Sequence, residues 1–307
     1  MDTLTLALWA ANLEPPLNGV DAWAAGVEAK LREAQAEGAR LLVTPEYHCQ
    51  QWISFAPEHI RPDQEIPWLA TQAPAALEAV RPLARKYGVA LLAGTMPVPN
   101  GEGGYVNRAH LFFPDGREVV QDKLCLTPAE KDPTAWCLTP GRRLDVVEWE
   151  GLRLATLVCL DIELPGLAAR LAPLDLDLVL VPSMTSKLSG FHRVFGCARA
   201  RAIELMTVVA AVGAIGVPER LTRRGSNTSA AAAFLPCEER LGSTGVPAAL
   251  SPTARTTGPG PVLVAADLPI GLVREIRRGA AEVWPGAWSA GHVEIVTRGE
   301  TVREKAR

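Results

Sequence analysis

The feature that most constrains the fold is the alternation of short apolar runs with helical stretches along the chain. Residues 4–11, 40–44 and 89–94 are apolar runs of strand length, as expected for buried strands. Between the first two, residues 19–37 place apolar side chains on one face at helical spacing, and Gly38 is suited to end that helix. Helices that alternate with apolar strands predict an α/β fold in which helices cover buried sheets.

The second half of the chain shows the same alternation after a β-rich middle segment. Strands near 105–113 and 117–122 are joined by a Pro-Asp-Gly turn, and strands near 145–149 and 152–158 meet at a Glu-Gly pair. The remaining elements are predicted in the order strand 176–182, helix 190–206, strands 207–213, 227–235 and 261–268, and helix 271–281.

Two stretches interrupt this regularity. The segment from Trp52 to Trp68 is rich in proline and aromatic residues and is predicted to be a loop. Residues 74–87 are predicted to be helical, with an interruption at Pro82. No break in composition marks a linker, so residues 1–285 are predicted to form one domain and residues 286–307 a C-terminal extension.

Composition limits the classes of function. Of 307 residues, 48% are hydrophobic and 21% are charged, and the mean hydropathy is +0.09, which predicts a soluble globular protein with a large core. The formal net charge of −3 argues against a nucleic-acid partner, and no apolar run is long enough to cross a bilayer. No basic segment typical of a signal peptide precedes the first strand, so a cytoplasmic location is predicted.

The cysteine and histidine residues predict neither a disulfide framework nor a metal site. The six cysteines are dispersed without C-x-x-C spacing, and the five histidines lack metal-ligand spacing. No metal and no cofactor are therefore predicted. A small buried hydrophobic residue is the preferred interpretation of Cys197 and Cys237.

Three side chains of complementary chemistry follow predicted strands. Glu46 comes just after the strand 40–44, Lys123 comes at the end of the strand 117–122, and Cys159 follows residues 152–158. Loops at the carboxyl ends of strands converge in layered α/β domains, so an acid, an ammonium group and a thiol are expected to meet. Pro165 suits the first turn of a helix, whose positive end would stabilise a thiolate.

Each of these residues alone has an ordinary structural explanation. A carboxylate after a strand, such as Glu46, is usually a solvated loop residue or a helix cap. Lys123 alone is typical of a surface lysine, and an isolated cysteine is typical of a small buried residue. The functional interpretation therefore depends on the three residues occurring together.

Five segments of the chain form a characteristic series. They are Thr44-Pro45-Glu46, residues 123–130 (KLCLTPAE), residues 158–165 (VCLDIELP), residues 180–183 (LVPS) and residues 200–204 (ARAIE). In this order they resemble the motifs of the nitrilase superfamily of carbon–nitrogen hydrolases. The resemblance extends over most of residues 4–285.

The resemblance implies both a fold and a set of catalytic residues. The fold is a four-layer αββα sandwich, and the Glu–Lys–Cys triad of the family falls on Glu46, Lys123 and Cys159. A second glutamate often recognised in the family falls on Glu130. The resemblance also implies a homodimer or larger homo-oligomer, in which protomers pair through helices that include residues 190–206.

The chain departs from the family's pattern near the nucleophile. Leu160 stands where an aromatic residue commonly follows the cysteine, and Leu164 where a phenylalanine often precedes the proline. Cys125 replaces a frequent histidine, and Leu205 a frequent asparagine. These departures concern the substrate pocket and leave every catalytic group in place.

The expected reaction is attack of a thiol on an electrophilic carbon bonded to nitrogen. Lys123 and the following helix would lower the pKa of the Cys159 thiol, whereas an ionised Glu46 would oppose both. We expect Glu46 to take the thiol proton as attack proceeds. Lys123 and the backbone N–H of Leu160 are the expected donors to the oxyanion.

The substrate is less constrained than the chemistry. Tyr47, Met184 and Thr185 are candidate substrate-binding residues because they follow strand ends, and His192 or Arg193 could also reach the pocket. A small linear, non-peptide amide or N-carbamoyl compound is the first expectation, and a nitrile is the alternative. A catalytically idle scaffold is a further alternative, and a glutaminase domain that feeds a synthetase is the last.

Overall fold

Two six-stranded mixed sheets form the centre of the molecule. The computed structural model describes residues 1–58, 60–221, 225–284 and 290–296. The strands are β1 (Leu4–Trp9), β2 (Leu41–Val43), β3 (Ala90–Pro99), β4 (Tyr105–Phe112), β5 (Glu118–Asp122), β6 (Val146–Trp149), β7 (Leu152–Thr156), β8 (Leu178–Ser183), β9 (Val208–Gly213), β10 (Ala231–Phe234), β11 (Ala248–Ala249) and β12 (Val262–Leu268).

The two sheets have matching topologies. The first sheet has the order β12-β1-β2-β3-β4-β5, and the second has the order β11-β10-β9-β8-β7-β6. In the first sheet β1, β2 and β3 are parallel, as are β7, β8 and β9 in the second, and the outer strands are antiparallel to their neighbours. The carboxyl ends of the parallel strands within each sheet therefore lie at one edge.

Helices cover the outer face of each sheet. The helices are α1 (Val20–Ala36), α2 (Pro62–Tyr87), α3 (Pro128–Lys131), α4 (Pro165–Leu171), α5 (Leu188–Glu204) and α6 (Ile270–Glu275), which continues as a π-helical turn over Ile276–Ala280. Successive residues of β1 point to different cores: Leu6 and Leu8 lie between the sheets, whereas Ala7 and Trp9 pack with α1 and α2. Apolar residues of α5 pack on the second sheet. The predicted α/β sandwich is confirmed.

The longest helix is where the sequence-based prediction was wrong. Helix α2 spans 26 residues, Pro62–Tyr87, rather than 74–87, and it contains Pro67, Pro74 and Pro82 in its interior. An interior proline removes a backbone hydrogen bond and predicts a break. A buried stripe of apolar residues packs α2 against α1 and the first sheet, and this packing outweighs the local cost of the prolines.

The predicted proline-rich loop is also more ordered than expected. His48–Phe55 form a 3₁₀ helix that buries Trp52, and Pro62 begins α2. The predicted extension at 286–307 lies largely outside the described residues, so the domain boundary stays a prediction. Among the helices that the structure describes, none is long and apolar enough to cross a membrane.

Candidate active site

The four predicted catalytic residues and the four predicted oxyanion or substrate-binding residues line one cavity of about 740 Å³. They are Glu46, Tyr47, Lys123, Glu130, Cys159, Leu160, Met184 and Thr185. The cavity lies where loops leave both sheets: after β2, β5, β7 and β8. Residues far apart in the chain thus meet as the strand-end pattern predicts.

Glu46 is buried between two hydrogen-bond donors. Its Oε1 atom accepts hydrogen bonds from the Lys123 ammonium at 2.8 Å and from the Asn107 amide at 2.9 Å. Burial raises the pKa of the Glu46 carboxyl to about 7, although the charge of Lys123 and a contact with the Cys159 thiol pull it down. A carboxyl with such a pKa can accept and release a proton near neutral pH.

Lys123 is a buried ammonium group held by two carboxylates. Its Nζ atom donates to Glu46 Oε1 at 2.8 Å and to the two carboxylate oxygens of Glu130 at 2.9 and 2.8 Å. Burial alone would lower the pKa of Lys123, but the negative charges of Glu46 and Glu130 raise it above its usual value. The lysine is therefore a fixed positive charge.

Glu130 caps a helix and binds the lysine with the same carboxylate. Thr127 and Glu130 form a capping box at the start of α3, in which the backbone N–H and the hydroxyl of Thr127 donate to Glu130 Oε2 at 2.9 Å each. The Tyr47 hydroxyl donates to Glu130 Oε1 at 2.8 Å. Burial opposes ionisation, yet Lys123 and these donors lower the pKa of Glu130. Glu130 is thus both the helix-start residue and the lysine partner.

Cys159 begins a tight 3₁₀ turn after β7. Its backbone is in the left-handed region, with φ 51°, and the turn Cys159–Glu163 leads to α4, which begins at Pro165 as predicted. The Cys159 Sγ–H donates to the backbone carbonyl of Met184 at 3.7 Å. Burial and the nearby Glu46 raise the pKa of the thiol well above its usual value, and Lys123 only partly opposes them. The resting group is a thiol. Lys123 lowers its pKa and Glu46 raises it, both as expected from the sequence, and burial, which the sequence does not display, outweighs the lysine.

The backbone N–H of Leu160 is available to a ligand. No described residue accepts a hydrogen bond from it, whereas the neighbouring Asp161 N–H donates to Val158 O at 3.1 Å. Leu160 lies in the cavity wall next to Cys159. A free backbone donor beside a nucleophile can bind an oxygen that becomes negative during the reaction.

Two buried polar residues were missed by sequence reasoning. Asn107, on β4, donates to Glu46 and accepts a hydrogen bond from the Lys123 backbone N–H at 2.8 Å. Asp161 is fully buried, and its carboxylate accepts hydrogen bonds from three backbone N–H groups. Burial raises the pKa of Asp161 to about 6, although these hydrogen bonds lower it. The available signals were an asparagine inside an apolar strand and an aspartate inside the motif of the nucleophile.

The loop of Glu46 depends on a close approach of two backbones. Gly94 on β3 has φ 65°, and a Cβ atom there would lie 2.2 Å from Pro45 O. The next residue, Thr95, accepts a hydrogen bond from the Tyr47 N–H at 3.0 Å through its Oγ1. Only glycine at position 94 lets β3 support the loop this closely.

The cavity wall carries further charged side chains of both signs. Glu65 of α2 is buried and accepts a hydrogen bond from Trp136 Nε1 at 3.1 Å. Arg193 of α5 lies in the wall and pairs with Glu163 at 3.1 Å, and Lys187 also lines the cavity. Of the two α5 residues predicted to reach the pocket, Arg193 lines it, and His192 is not among its lining residues.

Other predicted residues lie away from the cavity or outside the description. Cys197 and Cys237 are partly buried free cysteines. Of the five histidines, His59 is outside the described residues. Within the part of the chain that the structure describes, no group of three or more histidine, cysteine or acidic residues is arranged to hold a metal ion.

The fold and the cavity define a class of protein: an α/β sandwich with an acid, a lysine and a cysteine at converging strand ends. The sequence matches the family described as carbon–nitrogen hydrolase over residues 9–235. The chain belongs to the carbon–nitrogen hydrolase family, and the predicted resemblance to the nitrilase superfamily is confirmed.

Solved structures agree with this class. The amidase from Nesterenkonia sp. AN1 superposes with a TM-score of 0.67 at 25% sequence identity, over 90% of this chain and 97% of that chain. A variant of the same amidase in complex with butyramide superposes with a TM-score of 0.68 at 25% identity, over 91% of this chain and 96% of that chain.

Curated relatives match over shorter segments. The probable hydrolase YhcX of Bacillus subtilis (strain 168) is 30% identical over 174 residues, which are 57% of this chain and 33% of that protein. The (R)-stereoselective amidase of Pseudomonas sp. is 33% identical over 134 residues, which are 43% of this chain and 47% of that protein. The chain therefore spans half or less of the length of these two relatives.

Proposed function

We propose that the protein is an amidase that hydrolyses a small linear, non-peptide amide or N-carbamoyl compound through a thioester on Cys159. One observation carries this proposal: Glu46, Lys123 and Cys159 line one cavity, with Lys123 Nζ 2.8 Å from Glu46 Oε1. A buried acid, a fixed ammonium group and a thiol together supply a base, an oxyanion donor and a nucleophile.

The first half of the reaction transfers the acyl group to sulfur. Cys159 Sγ attacks the carbonyl carbon while its proton passes to Glu46, whose raised pKa suits this transfer. The negative charge on the former carbonyl oxygen is stabilised by the Lys123 ammonium and the Leu160 N–H. When the C–N bond breaks, Glu46 gives the proton to the departing nitrogen, and a thioester remains.

The second half of the reaction releases the acid. Glu46 takes a proton from a water molecule, and the resulting hydroxide attacks the thioester carbon. The C–S bond then breaks, and the proton returns from Glu46 to the sulfur of Cys159. Glu130 stays ionised beside Lys123 and orients the ammonium group. Tyr47, Met184 and Thr185 contribute to the walls that hold the substrate.

The relatives support amides as the substrate class. The Pseudomonas and Nesterenkonia proteins are named amidases, and one Nesterenkonia structure is described as showing covalent addition of the acetamide moiety of fluoroacetamide at the active site cysteine (25% identity, TM-score 0.66). A nitrilase would use the same side chains, but these comparisons do not favour it. All three triad positions keep their reactive side chains, and Lys123 is paired with Glu46 and Glu130. This arrangement likewise does not favour a catalytically idle scaffold.

Ammonia release from a panel of short linear amides, N-carbamoyl compounds and nitriles tests this function. We expect turnover of an amide or N-carbamoyl compound by the wild type, and its loss in Cys159→Ala, which also cannot form a trapped acyl-enzyme. Cys237→Ala, which changes a cysteine outside the cavity, should keep the wild-type rate. Turnover by Cys159→Ala, or turnover of nitriles alone, would contradict the proposal.

Two further properties stay predictions. A cytoplasmic location comes from the sequence alone. A homodimer is expected to form through α5, on which Leu188 and Ile203 are exposed apolar residues, 49% and 40% accessible. Arg201 and Glu204, in the same helix, form an ion pair at 2.6 Å within one chain.

A further inference from the structure

Asp161 is a fully buried carboxylate that takes no part in the proton transfers described above. Its Oδ2 accepts hydrogen bonds from the backbone N–H of Leu124 at 3.2 Å and of Val158 at 3.1 Å. Its Oδ1 accepts a hydrogen bond from the N–H of Cys125 at 2.8 Å. One side chain therefore binds two separate stretches of backbone.

These two stretches carry the lysine and the nucleophile. Leu124 and Cys125 directly follow Lys123 at the end of β5 in the first sheet, and Val158 directly precedes Cys159 after β7 in the second. The backbone N–H of Lys123 donates a hydrogen bond to the carbonyl of Asn107 at 2.8 Å. The backbone carbonyl of Lys123 accepts one from the N–H of Gly141 at 2.7 Å. Asp161 adds a connection from this loop to the loop of the nucleophile.

Asp161 also closes the turn that presents the thiol. Its backbone N–H donates to Val158 O at 3.1 Å, while the Val158 N–H donates back to its carboxylate at 3.1 Å. Cys159 lies inside this turn with φ 51°, a conformation that costs a non-glycine residue free energy. Such a conformation persists where surrounding contacts over-determine it, and the reciprocal pair of bonds supplies these contacts.

We propose that Asp161 is a positioning residue, which sets the place of the Lys123 ammonium relative to the Cys159 thiol by joining their two loops. The inference rests on the proposed function, because it assumes that these two groups act on the same substrate. Catalysis is sensitive to such placement: a shift of about 1 Å can cost about 10²-fold in rate.

The chemistry of the side chain makes the proposal specific for a carboxylate. Three N–H donors converge on its two oxygens, and both oxygens can only accept when the group is ionised. In Asp161→Asn, an amide NH₂ replaces one oxygen and meets a backbone N–H. Two donors that face each other cannot bond, so one of the two loops must move.

The test compares Asp161→Asn with Asp177→Asn. Asp177 is also buried and accepts a backbone N–H, from Arg153 at 2.8 Å, but it lies at the other end of β7 and β8 and pairs with Arg274 and Arg277. Folding is checked by circular dichroism and thermal unfolding, and kcat and KM are measured on the best amide of the panel. The rate of Cys159 alkylation by iodoacetamide is measured in parallel.

For Asp161→Asn we expect a fall of about 10²-fold in kcat with little change in KM, and a matching change in the alkylation rate of Cys159. Asp177→Asn should lower the melting temperature and leave kcat per folded molecule unchanged. If Asp161→Asn does not fold, Asp161→Ser serves in its place, because a hydroxyl is small and can accept only part of the bonds.

Two outcomes overturn the proposal: a folded Asp161 variant with wild-type kcat and alkylation rate, or an equal loss of kcat in Asp177→Asn. These outcomes differ from failure of the proposed function, which is shown by an active Cys159→Ala. An inactive Cys159→Ala beside a fully active Asp161→Asn would reject the positioning role alone.

Discussion

Burial decides the chemistry of single residues in this protein. The side chains of Glu46 and Lys123 are 1% and 2% exposed, so each charge has lost its hydration. Removing one partner of such a pair typically costs about 3–5 kcal/mol, because the other charge is left buried and unpaired. The pair is therefore expensive to keep, and its position in the cavity supports the proposed catalytic role.

The fall of kcat/KM on the acid side of its pH profile should follow the protonation of Glu46. Because its pKa is raised to about 7, the carboxyl is protonated below that pH and cannot take the thiol proton. We expect kcat/KM to fall about tenfold for each pH unit below that pKa. The measurement is kcat/KM for an amide between pH 5 and pH 9.

Glu46→Gln is the matching variant. A glutamine keeps the size of the side chain and leaves Lys123 with its partner Glu130, so the fold and substrate binding should be retained. Loss of the base should lower kcat by about 10²–10⁴-fold and remove the acid limb. An unfolded Glu46→Gln, or an active variant with the same acid limb, would point to a structural carboxylate.

His48 should make the folded state sensitive to acid. Its ring is fully buried between Trp9 and Trp23, and neither ring nitrogen has a hydrogen-bond partner in the described structure. Burial lowers the pKa of His48 from 6.5 to about 3, so between these values the unfolded chain binds a proton that the folded chain does not. The contribution of His48 to the free energy of unfolding is therefore fully present above pH 6.5 and decreases as the pH is lowered. At pH 5 it is smaller by about 2 kcal/mol.

His48→Phe removes this proton uptake. Denaturant unfolding at pH 8 and pH 5 gives the loss of stability on acidification, which should be about 2 kcal/mol smaller in the variant, whatever its stability at pH 8. An equal loss in the wild type and the variant would show that other groups cause the acid sensitivity.

At the scale of elements, the site depends on how strand ends and loops support one another. Sequence reasoning predicted the strands before Glu46 and Cys159 as short apolar runs, and the strand before Lys123 as the second strand of a hairpin. The predicted helix was shorter than α2 because prolines inside a segment locally disfavour a helix. Packing of α2 against α1 and the first sheet is a tertiary effect, and a single sequence does not display it.

Gly94→Ala tests the support that β3 gives to the loop of Glu46. The new Cβ would lie 2.2 Å from Pro45 O, and φ 65° is unfavourable for alanine, so the backbones must separate. We expect a loss of at least about 2 kcal/mol in the free energy of unfolding and lower activity of the folded fraction.

Gly38→Ala is the control for this substitution. Gly38 also has a positive φ, 72°, but its Cβ would meet nothing within 4 Å. It should cost only about 1–2 kcal/mol through the backbone conformation and leave the activity unchanged. Equal effects of the two substitutions would show that the close approach at Pro45 does not matter.

For the whole molecule, we predict a homodimer that forms through α5, on which Leu188 and Ile203 are exposed. Sedimentation velocity of the wild type should give the mass of a dimer, and Ile203→Lys should shift it toward the monomer because a buried lysine is costly in an apolar interface. Val120→Lys, on the exposed side of β5, should leave the mass unchanged. A monomeric wild type, or a dimer insensitive to Ile203→Lys, would contradict this prediction.

Local patterns in the chain were enough to predict the class of fold and the candidate groups for the chemistry. Apolar runs and helical spacing are local patterns, and the motifs around Glu46, Lys123, Glu130 and Cys159 are read directly from the chain. The tertiary structure alone decided the protonation of the site, because burial and neighbouring charges set the pKa values of Glu46 and Cys159. It also revealed Asp161, since bonds between loops of different sheets leave no periodic signal in the sequence.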